Sequence, residues 1–185
     1  MKTLIIGGSP RKAGDTAALI GILRGQLPGE VAELSAYYSD ISPCLDCRAC
    51  RGTPGCVIRD DMDLIYADDF DAVVVASPIY FGNVTGPVLS LASRFQYTHS
   101  AREYLRAPVS YKPKRGGILL VGGGTGKGDE HGAIRAAMIL MRMMNAEVRD
   151  DLIVVSRRTD VVPAAEDAAA AEKTRRLAQW LSEAE

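Results

Sequence analysis

The sequence predicts an α/β protein, a doubly wound parallel sheet with helices on both faces. Two observations carry this. Short apolar runs, Thr3-Leu4-Ile5-Ile6, Ala72-Val73-Val74-Val75-Ala76 and Ile118-Leu119-Leu120-Val121, alternate with segments of helical periodicity. A strand apolar throughout is buried on both faces, as in a parallel sheet covered by helices. Three of the strand exits are also loops rich in glycine, serine, threonine and proline. Right-handed crossovers gather such loops at the carboxyl edge of the sheet, where ligands bind.

In chain order, the first strand is Lys2–Gly7 and the first helix Asp15–Leu27, with apolar residues at Leu19, Ile20, Leu23 and Leu27. Val31–Leu34 is the second strand, followed by an insertion over about 40–61 and a short helix, Met62–Ala67. The third strand is Ala72–Ala76, and a helix follows over Gly86–Tyr97. The fourth strand is Ile118–Val121, the next helix Gly132–Asn145, and the fifth strand lies within Asp151–Ser156. Pro163 is placed to open the last helix, since proline suits a first helical position. Arg102–Arg115 reads as a long basic connection, either solvated or a docking surface for an anionic nicotinamide cofactor. The expectation is five strands in the order 2-1-3-4-5 within one domain spanning 1–185.

Composition bounds the function. Hydrophobic content of 47% with 24% charged residues describes a globular chain. A net charge of −1 argues against nucleic acid as a partner. No apolar run is long enough to cross a bilayer, and the chain enters a strand at once, so a cytoplasmic protein is expected. All four cysteines lie between Cys44 and Cys56. Disulfide staples would be scattered, so the clustering favours a metal or redox site in a reducing compartment.

The first loop, Gly7-Gly8-Ser9-Pro10-Arg11-Lys12-Ala13-Gly14-Asp15-Thr16, joins a strand to a helix. Its backbone N–H groups and the helix N-terminus suit a phosphate, with hydroxyls from Ser9 and Thr16 and charge from Arg11 or Lys12. It is neither the dinucleotide fingerprint nor a P-loop. Gly122-Gly123-Gly124-Thr125-Gly126-Lys127-Gly128 imitates the P-loop, but its spacing is one residue short and Lys127 precedes glycine, which excludes an ATPase of that type. In a 2-1-3-4-5 sheet the crevice opens between the first and third strands, so the phosphate loop should lie beside Ser77-Pro78-Ile79-Tyr80-Phe81-Gly82-Asn83-Val84. With the glycine run closing the site, a flat heteroaromatic ring carrying one phosphate fits all three loops.

These loops, together with Cys44-Leu45-Asp46-Cys47-Arg48-Ala49-Cys50 and Cys56-Val57-Ile58-Arg59-Asp60-Asp61-Met62, resemble the NAD(P)H-dependent FMN reductase and iron–sulfur flavoprotein branch of the flavodoxin-like superfamily. The resemblance runs from Met1 to about Met144. It implies FMN held at its phosphate by Ser9, Arg11, Gly14, Asp15 and Thr16. The ring would lie against Pro78, Ile79, Tyr80, Phe81, Gly82 and Asn83, closed by Gly123, Gly124 and Thr125. Asp15 stands where many relatives carry asparagine or serine. A carboxylate repels phosphate, so Asp15 is expected to turn away or to cap the helix.

The cysteine spacing is C-x2-C-x2-C-x5-C. Compact thiolate loops of this kind hold 4Fe–4S clusters, and the resemblance implies one ligated by Cys44, Cys47, Cys50 and Cys56 near the flavin. A tetrahedral zinc, or no metal at all, remains open on the residues alone. His99 and His131 have no visible partner, and Asp60, Asp61 and Asp63 read more simply as a helix start than as a cation site. The expected function is an FMN-dependent oxidoreductase with NAD(P)H as donor. Its acceptor would be a quinone, nitro or azo compound, a flavin, or the cluster, and no side-chain acid or base is required. A non-enzymatic electron carrier serving redox protein partners is the alternative, and a cysteine-based redox or metal sensor a third. The resemblance also implies a homodimer or tetramer.

Overall fold

The computed structural model describes residues 1–124, 128 and 130–183. Its strands are β1 (Lys2–Gly7), β2 (Glu30–Ser35), β3 (Ala72–Pro78), β4 (Lys114–Gly122), β5 (Ala146–Val148) and β6 (Val154–Arg157). Its helices are α1 (Asp15–Arg24), α2 (Asp63–Tyr66), α3 (Gly86–Ser93), α4 (Gln96–Ser100), α5 (His131–Met143) and α6 (Ala168–Ser182). All pairings are parallel, in the order β2-β1-β3-β4-β5, with β6 also on β4. β3 is buried at every position, as an inner strand covered on both faces must be.

Two apolar layers sandwich the sheet. One holds Leu4, Ile6, Val73, Val75, Ile118 and Leu120 against Leu91, Phe95, Ala137 and Leu140. The other holds Ile5, Val74, Ala76, Leu119 and Val154 against Leu19, Leu23, Leu177 and Trp180. Neighbouring strand residues thus alternate between layers, the period-two signature of a strand.

The structure corrects several boundaries. The sheet has six strands rather than five, because the fifth position is shared: β5 pairs with Lys114–Gly116 and β6 with Leu119–Gly122, with a 3-10 turn at Asp150–Leu152 between them. β4 begins at Lys114, inside the stretch read as loop. A Cβ on Gly116 would lie 2.9 Å from Val148 Cγ2, so that glycine admits close packing of β5 and α5 rather than marking a turn. The first helix ends at Arg24, where Gly25 caps it. The helix expected to reach Tyr97 stops at Ser93. Tight bonds from Arg94 N–H to Leu91 O (3.0 Å) and from Phe95 N–H to Ala92 O (3.1 Å) turn both side chains inward. The chain then resumes as α4 and a π turn at Ala101–Leu105. Pro163 does not open the last helix. Asp167 does, its carboxylate accepting from Ala170 N–H (3.0 Å) and Ser156 Oγ (2.8 Å).

Candidate functional site

The ends of β1 and β3 are stitched together by three buried groups. Gly8 N–H donates to Ala76 O (2.7 Å), and the Thr85 hydroxyl donates to Gly8 O (2.8 Å). Ser77 Oγ donates to Pro78 O (2.8 Å) and accepts from Thr85 N–H (3.2 Å). Thr85 precedes α3 as its N-cap residue, but its hydroxyl is spent on Gly8 rather than on the helix. Gly8 has no room for a side chain: a Cβ there would sit 2.5 Å from Val88 Cγ2 and 2.9 Å from Ser77 Oγ. This junction holds the first loop beside the Pro78–Asn83 loop. Sequence reasoning missed Thr85, whose partner Gly8 is 77 residues away in the chain.

The first loop folds on itself through Ser9 Oγ, which accepts from Arg11 N–H (3.2 Å). The Tyr38 hydroxyl donates to Pro10 O, and Lys12 Nζ lies 5.0 Å from the Tyr38 ring centroid. The backbone N–H groups from Lys12 to Thr16 find no acceptor among the described residues. That row of free donors, leading into a ten-residue helix, is a nest for an anion. Ser9, Arg11, Lys12 and Thr16 also line an open cleft of about 400 Å³ between α1 and β2. Asp15 turns away, its carboxylate accepting from Ala164 N–H (2.9 Å) across the molecule. The cap position belongs to Gly14, and Asp15 can offer a phosphate only its main chain.

The second loop is a tight reversal. Tyr80 and Asn83 exchange backbone hydrogen bonds of 2.8 and 3.0 Å. The two residues between them, Phe81 (φ 55°) and Gly82 (φ 68°), both lie in the left-handed region, as a type I′ turn requires. Asn83 Oδ1 accepts from Val84 N–H (2.8 Å), fixing its side chain. The Phe81 ring stands fully in solvent. Ile79, Phe81 and Gly82 line a cleft of about 310 Å³ with Gly122, Gly123, Gly124 and the Glu130–Arg157 ion pair. The wall and the glycine run therefore face each other. Pro78 is buried at the end of β3 and Tyr80 half-exposed, whereas Thr125 lies outside the described residues.

Cys44, Cys47, Cys50 and Cys56 line one small cavity of about 90 Å³, with Arg48, Arg51, Arg94, Tyr97, His99 and Tyr104. This is below the ~300–1,000 Å³ typical of organic ligands. Left-handed residues at Asp46, Arg48 and Gly55 fold the loop back so that all four cysteines line it. All four are free thiols, and among the described residues no three His, Cys, Asp or Glu side chains are already drawn together around a metal-sized point. In donor type and number the four thiols fit a 4Fe–4S cluster. Asp60 and Asp61 are not a cation site. Asp60 pairs with Arg94, and Asp61 Oδ2 accepts from Asp40 N–H (2.8 Å).

An open parallel sheet in this order, with a row of free N–H donors after its first strand and an aromatic turn after its third, has the flavodoxin-like architecture. The fold of an FMN-dependent NADH-azoreductase from Bacillus anthracis, solved in complex with FMN, superposes with a TM-score of 0.70 at 16% identity, covering 99% of this chain and 100% of that one. A family model described as NADPH-dependent FMN reductase matches residues 1–157, and the chain belongs to that family. Among curated relatives, an iron–sulfur flavoprotein of Methanosarcina thermophila is 34% identical over 140 residues, 70% of this chain and 68% of that protein. An iron–sulfur flavoprotein of Archaeoglobus fulgidus is 33% identical over 136 residues, 70% of this chain and 58% of that protein. The chain thus spans little more than half of the latter's length.

Proposed function

We propose that the chain is an FMN-dependent oxidoreductase. It takes hydride from NADH or NADPH and passes electrons to a small acceptor (a quinone, a nitro or azo compound, or a free flavin) or to a 4Fe–4S cluster on Cys44, Cys47, Cys50 and Cys56. The observation that carries this reading is the Gly8–Ser77–Thr85 junction. It ties the start of the loop that carries the free N–H donors to both ends of the aromatic turn, which supports a site for a ring with a phosphate tail. FMN would supply the two-electron chemistry, and the chain's task is to bind, orient and stabilise it.

The N–H groups from Lys12 to Thr16, the Ser9 and Thr16 hydroxyls and the Arg11 guanidinium would hold the phosphate. The Phe81 and Gly82 N–H groups engage no acceptor among the described residues. At the tip of the turn they are placed to donate to negative charge developing on the ring. Ile79, Phe81 and Gly82 would cover one side of the ring, with Gly123 and Gly124 opposite. No side chain here is assigned a proton-transfer role. The exposed Phe81 ring, with Ile139 and Met143 exposed on α5, further suits association with a second copy, a homodimer or a dimer of dimers.

Heat-released chromophore should co-migrate with FMN, and the reconstituted protein should turn over NAD(P)H with a quinone. FAD alone, or no flavin after reconstitution, would overturn the reading. FMN bound without turnover would favour the electron carrier. Iron, zinc and acid-labile sulfide measured on anaerobically purified protein distinguish a cluster from zinc and from free thiols. Light scattering on the same sample should give a species of at least twice the 19.8 kDa chain mass.

A further inference from the structure

The cysteine loop is closed at its base by one side chain. Arg94, at the kink after α3, is 1% exposed. Its Nη1 donates to Ser42 O (2.9 Å) and pairs with Asp60, and its Nη2 donates to Ile58 O (3.0 Å). Ser42 lies two residues before the first cysteine and Ile58 two after the last. Asp60 completes the clasp, accepting from Ser42 N–H (3.1 Å) and Met62 N–H (3.0 Å). Cys44 N–H is held by Ser93 Oγ (3.0 Å) on the neighbouring turn. Arg94 also lines the thiol cavity, within electrostatic reach of Cys56. One of its donors, Nε, is buried with no partner among the described residues.

A buried donor without an acceptor is costly and calls for one. The Asp60 carboxylate already balances a full guanidinium charge, so the clasp is self-sufficient as structure. What it leaves over is two of the guanidinium's five N–H groups, the Nε one buried without an acceptor, on a side chain that lines the thiol cavity. Resting on the cysteine reading above, we propose that Arg94 is the positioning residue of this site. It locks both ends of the loop so that the four thiolates converge on one metal centre, and it gives its spare N–H groups to the sulfur-ligated group. N–H donors to the sulfurs of an iron–sulfur cluster favour its reduced, more negative state. Arg94 should therefore hold the midpoint potential up. The role does not involve the flavin, whose loops lie at the ends of β1, β3 and β4.

The test compares wild type, Arg94→Gln, Arg94→Lys, and a double variant, Arg94→Met with Asp60→Leu. The double variant removes both buried charges together and so keeps the fold where the single change might lose it. FMN content and circular dichroism verify folding. Two readouts follow. The first is cobalt(II) titration of the apoprotein, followed by the thiolate charge-transfer band, which reports convergence of the thiolates without any cluster. Arg94→Gln and the double variant should bind cobalt at least tenfold more weakly than wild type, with Arg94→Lys between. The second is iron, sulfide and midpoint potential after anaerobic reconstitution. The cluster in Arg94→Gln should be harder to reduce by at least a tenfold change in equilibrium, which is 59 mV for one electron. Arg94→Lys, which keeps N–H donors and the balance with Asp60, should restore part of it. Folded variants that match wild type in cobalt affinity and in potential overturn the proposal. Wild type that takes up no iron but shows the arginine-dependent cobalt affinity overturns the cluster reading and leaves the positioning role standing.

Discussion

Thr16 is 3% exposed, and its hydroxyl engages no other described side chain or carbonyl, beside a row of free N–H groups. Thr16 lines the open cleft at the helix start, where its hydroxyl is placed to donate to an anion held by those N–H groups. Thr16→Val keeps the shape and removes the hydrogen bond, worth about 1.5–3 kcal/mol to a charged acceptor. FMN should bind roughly ten- to a hundredfold more weakly. Riboflavin, which lacks the phosphate, should be indifferent, and equal weakening of both ligands would show that Thr16 contacts something else. Residue types such as Thr16 and Ser9 are legible in a sequence because their chemistry is local. Asp15 shows the limit. Its repulsion from phosphate can be reasoned from the carboxylate alone, but its partner, Ala164, is 149 residues away, and no local reading finds it. Thr85 and Arg94 were missed for the same reason, since each acts on a segment distant in sequence.

At the scale of elements, the strands were legible because burial on both faces leaves a continuous apolar run. Breaks were not: the kink at Arg94–Phe95 and the split between β5 and β6 depend on what each segment packs against. The turn after β3 shows how strain and exposure combine. Phe81 occupies a left-handed position that suits glycine or asparagine, at a cost of about 1–2 kcal/mol for an ordinary side chain, and its ring contributes nothing to the core. Phe81→Gly should therefore raise stability by about 1 kcal/mol in urea unfolding while lowering NAD(P)H turnover, because the strained ring walls the ring-side cleft. Turnover unchanged alongside the gain in stability would remove Phe81 from the site. The junction below the turn predicts the opposite for Gly8→Ala. The added methyl meets Val88 and a Ser77 hydroxyl already fixed by two hydrogen bonds. A loss of about 1–3 kcal/mol is expected, with weaker FMN binding, because the two loops can no longer close on each other.

For the molecule as a whole, the apolar layers on both faces of the sheet specify the fold class, whereas composition conceals the buried Asp60–Arg94 pair, on which acid stability should depend. Burial acts to raise the Asp60 pKa. The hydrogen bond from Arg94, with those from the Ser42 and Met62 N–H groups, outweighs it and holds the carboxyl below the usual carboxylate range. Burial likewise acts against the Arg94 charge, and the bond to Asp60 overcomes it, holding the guanidinium above its ordinary value. Both side chains are almost wholly excluded from solvent, at 0% and 4% exposure, so screening does little to weaken the pair. A carboxyl with a lowered folded pKa contributes stability that is complete above its unfolded value, near pH 4, and is lost as pH falls through the folded one. Urea unfolding over a series of pH values should therefore show stability declining below about pH 4 as Asp60 protonates and strands Arg94. Asp60→Asn should cost about 3–5 kcal/mol at neutral pH, because it leaves the guanidinium buried without a counter-charge, and should flatten this acid limb. The double variant with Arg94→Met and Asp60→Leu should recover most of that loss and show the same flat limb, since neither charge remains to be stranded. An acid limb that survives intact in both variants would place the molecule's acid sensitivity elsewhere, in the exposed pairs around Asp69, Asp71 and Asp151.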